Sequence, residues 1–155
     1  MSTGSYGYMK VSINELPSNL KYLGNNAFFG GGNNVMVSKL PSGLTTLSRF
    51  SFWQCPNVNI RDFGYFDTNS QLATIEQSVL HSCGIATTEI FIGPKVLTID
   101  SASTNGAFNS YASTTLNAAY FANSYEAYGE DEGVANNMGI NTSRVAVTWS
   151  YQGAE

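Results

Sequence analysis

His81 is the single histidine of a 155-residue chain. Its isolation removes most arrangements in which a side chain moves a proton near neutral pH. A nucleophile activated by histidine needs that histidine held beside both a Ser or Cys and an orienting acid. His81 instead follows the apolar Leu80 and is expected to point away from the core, at the surface. The carboxylates offer no better grouping. Glu126, Glu130, Asp131 and Glu132 bring four of eleven acids into seven residues, but a calcium loop interleaves carboxylates with carbonyls around a turn, and this spacing does not. A solvated acidic loop that opens a helix is the simpler expectation. Asp62 and Asp67 fall in the insertion Arg61–Ser70, without the spacing of a glycan-cleaving pair. Cys55 and Cys83 belong to no Cys-x-x-Cys pair and have no histidine cluster around them, so a zinc site is not supported. Asn141-Thr-Ser143 is a glycosylation sequon, expected by chance among 16 Asn, 18 Ser and 13 Thr. No catalytic residue, metal or cofactor is expected.

Composition points the same way. Charged residues make up 12% of the chain, about half the roughly 25% usual in soluble domains. Small neutral polar residues fill the difference. The net charge of −4 gives no basic footprint for nucleic acid and no positive patch for anionic lipid. The first residues, Met-Ser-Thr-Gly-Ser-Tyr-Gly-Tyr, lack the basic and apolar regions of a signal peptide, and no apolar run approaches the roughly 18 residues of a membrane span. If the chain begins naturally at Met1, a soluble protein made in a cytoplasm is expected, an inference that lapses for an excised domain; neither nucleic-acid binding nor membrane insertion is expected.

What must position any binding residues is a repeat. Val11-Ser-Ile-Asn-Glu-Leu-Pro-Ser-Asn-Leu-Lys-Tyr-Leu23 and Val35-Met-Val-Ser-Lys-Leu-Pro-Ser-Gly-Leu-Thr-Thr-Leu47 match at an offset of 24 residues. A period of this size marks a solenoid, in which each unit buries its apolar stripe against its neighbours. Leu20, Leu44, Leu72 and Val96 form one column; Leu23, Leu47, Ile75 and Ile99 a second; Phe28, Phe52 and Leu80 a third, which Phe108 joins four residues late, after the insert 101–105. Short apolar triplets, Val11–Ile13, Val35–Val37, Val58–Ile60, Ile90–Ile92 and Ala119–Phe121, alternate as strands with one buried face do. Stacked coils would set them side by side in a parallel sheet. Cys55 and Cys83 fall in one column, as buried small hydrophobes on adjacent coils; a disulfide between them would require an oxidising compartment.

The columns Leu16-Pro-Ser-Asn-Leu20, Leu23 and Ala27-Phe28; Leu40-Pro-Ser-Gly-Leu44, Leu47, Phe52 and Cys55; Leu72, Ile75, Leu80 and Cys83; and a degenerate Ala107-Phe108 resemble the BspA-like leucine-rich repeats over about residues 9–122. The resemblance implies an α/β repeat solenoid, a short BspA-like leucine-rich repeat with a parallel β-sheet on one face and irregular or helical returns. The expected organisation is an N-terminal segment 1–10, a solenoid 11–122 and a C-terminal capping segment 123–155. In the cap, Glu130–Gly139 is expected to form one or two helical turns, with Gly139 as the stop. Val145, Val147, Trp149 and Tyr151 alternate as a last edge strand. The first coil has no such cap, and an open edge invites pairing with another chain.

Two rows are candidate binding surfaces. The strand middles Ser12, Met36, Asn59, Phe91 and Tyr120 should line the outward sheet face. Phe29, Trp53, His81 and Asn109 follow the Phe column and should point outward, with large aromatics at two positions. Flat aromatics bury much area at low entropic cost, which suits sugar or protein contacts; the plainer alternative is that part of them packs under loops. The expected function is therefore non-enzymatic. The tail, in which an acidic Gly133-Val-Ala-Asn136 segment precedes a last strand, resembles the closing module of many leucine-rich-repeat proteins of bacteriophages and gut bacteria, which implies a bacteriophage virion component at the virion surface: capsid decoration, head fibre or tail adhesin. Its partners would be other virion or surface proteins and host glycan, and a homo-oligomer, a trimer by the symmetry common to such appendages, is expected. The alternative is a bacterial cell-surface adhesin domain binding host matrix proteins.

Overall fold

A coil of 24 to 28 residues cannot satisfy its own backbone polar groups, so its N–H and C=O groups must find partners on the coils before and after it. The chain does this along three hydrogen-bonded ladders. A computed structural model describes residues 12–102, 104–129 and 131–153. Residues 1–10, Val11 of the first expected strand and Glu130 of the acidic run lie outside the described residues. The fold is a parallel β-solenoid of about four turns with little helix.

The first ladder is a parallel sheet of β2 (Asp62–Phe63), β4 (Glu89–Ile92), β6 (Ala118–Phe121) and β7 (Ala146–Thr148), in that order. Its register aligns Asp62, Phe91, Tyr120 and Thr148 in one row, and Phe63, Ile92 and Phe121 in the next. The first two coils join it loosely, through a single bridge between Ile13 and Val35 and a bond from the Asn59 N–H to the Val37 carbonyl, 3.0 Å. The second ladder is a sheet of β1 (Thr46–Leu47), β3 (Thr74–Ile75) and β5 (Thr98–Ile99). Here Leu47, Ile75 and Ile99 turn inward and stack in register. The sequence shows this column but not its strands, because two residues are too few for an alternation to be visible.

The third ladder stands where irregular or helical returns were expected, so the structure fits a repeat solenoid but not the α/β and leucine-rich-repeat details of that expectation. Asn26, Phe50 and Ser78 recur with positive φ, as do Gly30, Gln54, Ser82 and Ser110. A left-handed residue every fourth place stops a helix from propagating. Alternate N–H groups along these turns point instead to the neighbouring coil: Phe28 to the Ser51 carbonyl (2.6 Å), Phe52 to Val79 (3.0 Å) and Phe108 to Met138 (2.7 Å). A helix would need those donors for bonds within the coil. Among the described residues the only α-helix is α1, Val134–Asn137.

A second correction concerns register. Val58–Ile60 is not the strand that pairs with Ile90–Ile92; β2, a few residues later, is. Val58 and Ile60 are buried, but Ile60 takes no place in the ladder. Both of its backbone groups are bound by the phenol of Tyr111, which accepts from the Ile60 N–H (2.7 Å) and donates to the Ile60 carbonyl (2.6 Å). Tyr111 follows Phe108 as Cys55 follows Phe52 and Cys83 follows Leu80, so this ring occupies the cysteine column one coil on.

The interior is one continuous cluster in which Leu44, Leu47, Phe52, Phe63, Ile75, Leu80, Ile90, Ile92 and Phe121 are fully enclosed. At its end, Met138, Ile140 and Val145 close the stack. The acids precede α1 rather than entering its first turn: Asp131 Oδ1 accepts from the Gly133 N–H (2.8 Å), an Asx turn before the helix. Gly139 ends it at φ +96°, where a Cβ would run into the backbone of Asn109. Arg144 then ties the cap down, donating to the carbonyls of Leu116 (2.6 Å) and Ser113 (2.7 Å).

Candidate binding site on the sheet face

Alternation along β4 and β6 sends Ile90, Ile92, Ala119 and Phe121 into the core, and Glu89, Phe91, Ala118 and Tyr120 outward. Parallel pairing sets Phe91 directly beside Tyr120, and their rings stack with centroids 4.7 Å apart at 14°. Tyr151 packs against Tyr120, tilted by 39° with centroids 4.5 Å apart. Such a stack covers ring faces and leaves ring edges outward.

The insertion after β2 folds back over this stack. Asp62 organises it: Oδ1 accepts from the N–H groups of Tyr65 (2.7 Å) and Phe66 (3.0 Å), and Oδ2 from that of Asp67 (3.2 Å). Gly93 makes room for the loop, since a Cβ there would collide with the carbonyl of Gly64. Farther along, Ser42 donates to Asp67 (2.6 Å) and Lys95 to the Ser70 carbonyl (3.0 Å). The loop thereby lays Phe66 edge-on against Phe91 at 4.8 Å and Tyr65 at 5.8 Å. The Tyr65 hydroxyl donates to the Tyr151 carbonyl (3.1 Å), joining the insertion to the C-terminal segment.

On this bed lies the one ion pair among the described residues. Arg61 donates from Nε (3.0 Å) and Nη2 (2.8 Å) to the same oxygen, Oε1, of Glu89. Its guanidinium sits 4.6 Å from the Phe91 ring centre and 5.1 Å from that of Phe66, within the range of cation–π attraction. Arg61, Phe66, Glu89, Phe91, Tyr120, Tyr151 and Gly153 line a shallow depression of about 420 Å³. Among the described residues no group of three or more His, Cys, Asp and Glu is placed to hold a metal ion, and no helix is long and apolar enough to cross a membrane.

Of the expected sheet-face row, the structure brings Phe91 and Tyr120 together and leaves the others apart. Phe91 is only 4% exposed, because the insertion and Tyr151 cover it; it is the floor of the depression rather than a free contact surface. Asn59 does not align with Phe91, whose neighbour on that side is Asp62. Its amide works within the fold instead: Oδ1 accepts from the Ala86 N–H (2.9 Å) and the Thr87 hydroxyl (3.0 Å), and Nδ2 donates to the Asn57 carbonyl (3.2 Å). Met36 and Ser12 are exposed on the first two coils, beyond the strands β2 to β7. Arg61, Phe66, Glu89 and Tyr151 were not expected at a site. One signal was available for two of them: Arg61 and Glu89 are opposite charges 28 residues apart, the same one-coil spacing as Cys55 and Cys83.

The second row is a ladder. Phe29 stacks on Trp53 at 5.7 Å and 8°, and Trp53 on His81 at 3.8 Å and 8°. Phe50 meets Trp53 edge-on at 5.3 Å. The faces a sugar ring would use are thus occupied by neighbouring coils. His81, whose Nδ1 lies 3.0 Å from the Ser82 hydroxyl, has its pKa lowered by desolvation. Asn109 donates to the Thr104 carbonyl (3.1 Å).

Cys55 and Cys83 are free thiols, both buried. Each points its Sγ at a carbonyl one coil back, Phe28 (3.2 Å) for Cys55 and Phe52 (2.8 Å) for Cys83. Burial pushes the Cys55 thiol up from 9.0 to about 11, against the lowering effect of backbone bonds from Gly31 and Gly32. Burial likewise raises Cys83, Tyr111 and Tyr128. All four groups are neutral when protonated, so folding favours the protonated form. Their contribution to stability is complete below the unfolded pKa values, 9.0 for the thiols and 10.0 for the phenols, and is lost as pH rises toward the folded ones. The urea midpoint is therefore expected to be flat from pH 7 to 8.5 and to fall above pH 9. A thiol reagent at pH 8 should leave the native chain untouched and react with both thiols after denaturation; rapid native labelling would contradict this burial.

Asp62 gives a sharper test of the site. Removing its carboxylate in Asp62→Ala frees three loop N–H groups and is expected to cost about 2 kcal/mol. It should also weaken the near-ultraviolet circular dichroism of the aromatic bed, whereas Asp62→Asn, which keeps one acceptor oxygen, should lose less. Equal spectra for Asp62→Ala and the parent would show that the loop is held by other contacts.

Neither a family model, nor a characterised protein, nor a solved structure matches the chain.

Proposed function

We propose that this protein is a non-enzymatic binding and structural module, a rigid solenoid that offers the aromatic bed of its sheet face to a glycan or protein on a bacteriophage virion surface, as capsid decoration, head fibre or tail adhesin. The bed carries the binding half of this reading. Rings from β4, β6, the insertion and the C-terminal segment converge there with the ion pair Arg61–Glu89, in a shallow depression whose accessible lining is more polar than apolar, and polar groups held in place beside aromatic side chains are a common feature of binding sites. Support for the virion setting is the resemblance of the C-terminal segment, an acidic Gly133-Val-Ala-Asn136 run before a last strand, to the closing module of leucine-rich-repeat proteins of phages and gut bacteria. The same resemblance supports a bacterial cell-surface adhesin that binds host matrix proteins as the second reading. Association into a homo-oligomer, a trimer by the symmetry common to such appendages, belongs to the proposal, on the sequence reading that the first coil has no cap and that an open strand edge can accept another chain.

Mass spectrometry of purified virions and of host envelope fractions tests the setting. Stoichiometric copies on particles are the expected result. Recovery only from the envelope, within a longer chain, would replace the virion reading with the adhesin. The binding role is tested separately, by comparing capture of host envelope fragments on the parent chain and on Tyr120→Ala.

A further inference from the structure

The depression over Phe91 has a donor and an acceptor to spare. Both Arg61 donors that reach Glu89 converge on Oε1. Among the described residues, Oε2 of Glu89 and Nη1 of Arg61 carry no hydrogen bond, and the side chains are 36% and 53% exposed. A free acceptor and a free donor thus belong to one ion pair at the rim of an aromatic floor. The guanidinium is already fixed over Phe91 and Phe66, so little side-chain freedom remains to be lost on binding.

We propose that Arg61 and Glu89 form a subsite for a vicinal diol of a neutral sugar, with C–H groups of that sugar against the outward ring edges of Tyr120 and Tyr151 and beside Phe66. This rests on the sheet face being the binding surface. A hydroxyl both donates and accepts, so one hydroxyl of the diol donates to Glu89 Oε2 while its neighbour accepts from Arg61 Nη1. The pair carries no net charge. An acidic sugar or a phosphate therefore finds no uncompensated cation here and meets the Glu89 carboxylate, which selects for neutral ligands. The tyrosine and phenylalanine rings supply the apolar contact area that such a weakly polar ligand needs.

Proton–nitrogen NMR of the full chain tests this, with methyl α-D-mannopyranoside and methyl β-D-galactopyranoside as neutral probes and the corresponding uronic acid glycosides as anionic ones. The expected result is a saturable shift of the Arg61 Nε–H signal and of the Phe66 and Tyr120 ring protons with at least one neutral probe, and none with its uronic acid. Glu89→Gln, at a half-buried position, and Arg61→Lys, at an exposed one, should each weaken that binding by about tenfold or more. No saturable response up to concentrations on the order of 0.1 M overturns the subsite, and so does a response that Glu89→Gln leaves unchanged. Envelope capture separates the two levels of the claim. Capture that fails in Tyr120→Ala but is indifferent to free sugar and to Glu89→Gln removes the diol subsite and keeps the sheet face. Capture unaffected by Tyr120→Ala removes the sheet face itself.

Discussion

Tyr111→Phe, the loss of a single oxygen atom, is expected to lower folding stability by about 3 kcal/mol. The Tyr111 hydroxyl binds both the N–H and the carbonyl of Ile60, in a part of the core where Ile60 has no strand partner, and it also lies 3.2 Å from the Thr87 hydroxyl. Phenylalanine fills the same space but leaves two buried backbone groups without a partner, and each such group costs about 1–3 kcal/mol. The residue acts across 51 positions of sequence, so the damage should not stay in one turn: coils three and four should lose their fixed register together. Urea denaturation followed by circular dichroism measures the change. Thr87→Val is the control, because the Tyr111 phenol keeps both Ile60 bonds without it. A Tyr111→Phe protein within about 0.5 kcal/mol of the parent would mean that Ile60 finds other partners.

Phe52→Ala should be the most damaging of the simple core truncations, at about 3–5 kcal/mol. Phe52 is fully buried, stacks on Phe28 of the preceding coil at 5.4 Å, and its backbone carbonyl receives the Cys83 thiol and the Cys55 N–H. In a solenoid each coil is stabilised mainly by its two neighbours, so a cavity at Phe52 weakens both of its interfaces. The expected result is a lower and broader urea transition as the first two coils separate from the rest. Trp53, the next residue, stacks outside the core between Phe29 and His81, and Trp53→Ala should cost less. Equal losses at the two positions would contradict the division into an enclosed column and a surface ladder.

Much of the candidate site could not be read from the chain, for reasons specific to its residues. Phe91 and Tyr120 were legible as an outward row because alternation within a strand is a local property. That Phe91 would be covered was not, since Phe66 reaches it only after the Asp62 carboxylate has turned the insertion back on itself. Tyr151 lies 31 residues beyond Tyr120 and meets it only once β7 has paired. Asn59 was assigned to the row on an apolar triplet that the chain uses elsewhere, since an apolar residue buried by a strand and one buried by a loop look alike in sequence.

The order of residues by itself determined that this protein is a solenoid: a 24-residue repeat of Leu, Pro and Phe can bury its apolar columns only against copies of itself. It also determined which residues turn inward, because side-chain direction alternates over two or three positions and is settled locally. Only the tertiary structure decided what lies between those columns. The returns are ladders of left-handed turns and two-residue strands because their N–H groups find carbonyls on the next coil, and a partner one full coil away leaves no local trace. The aromatic bed and its ion pair were decided the same way, by an insertion and a terminal segment that pack over the sheet from opposite sides.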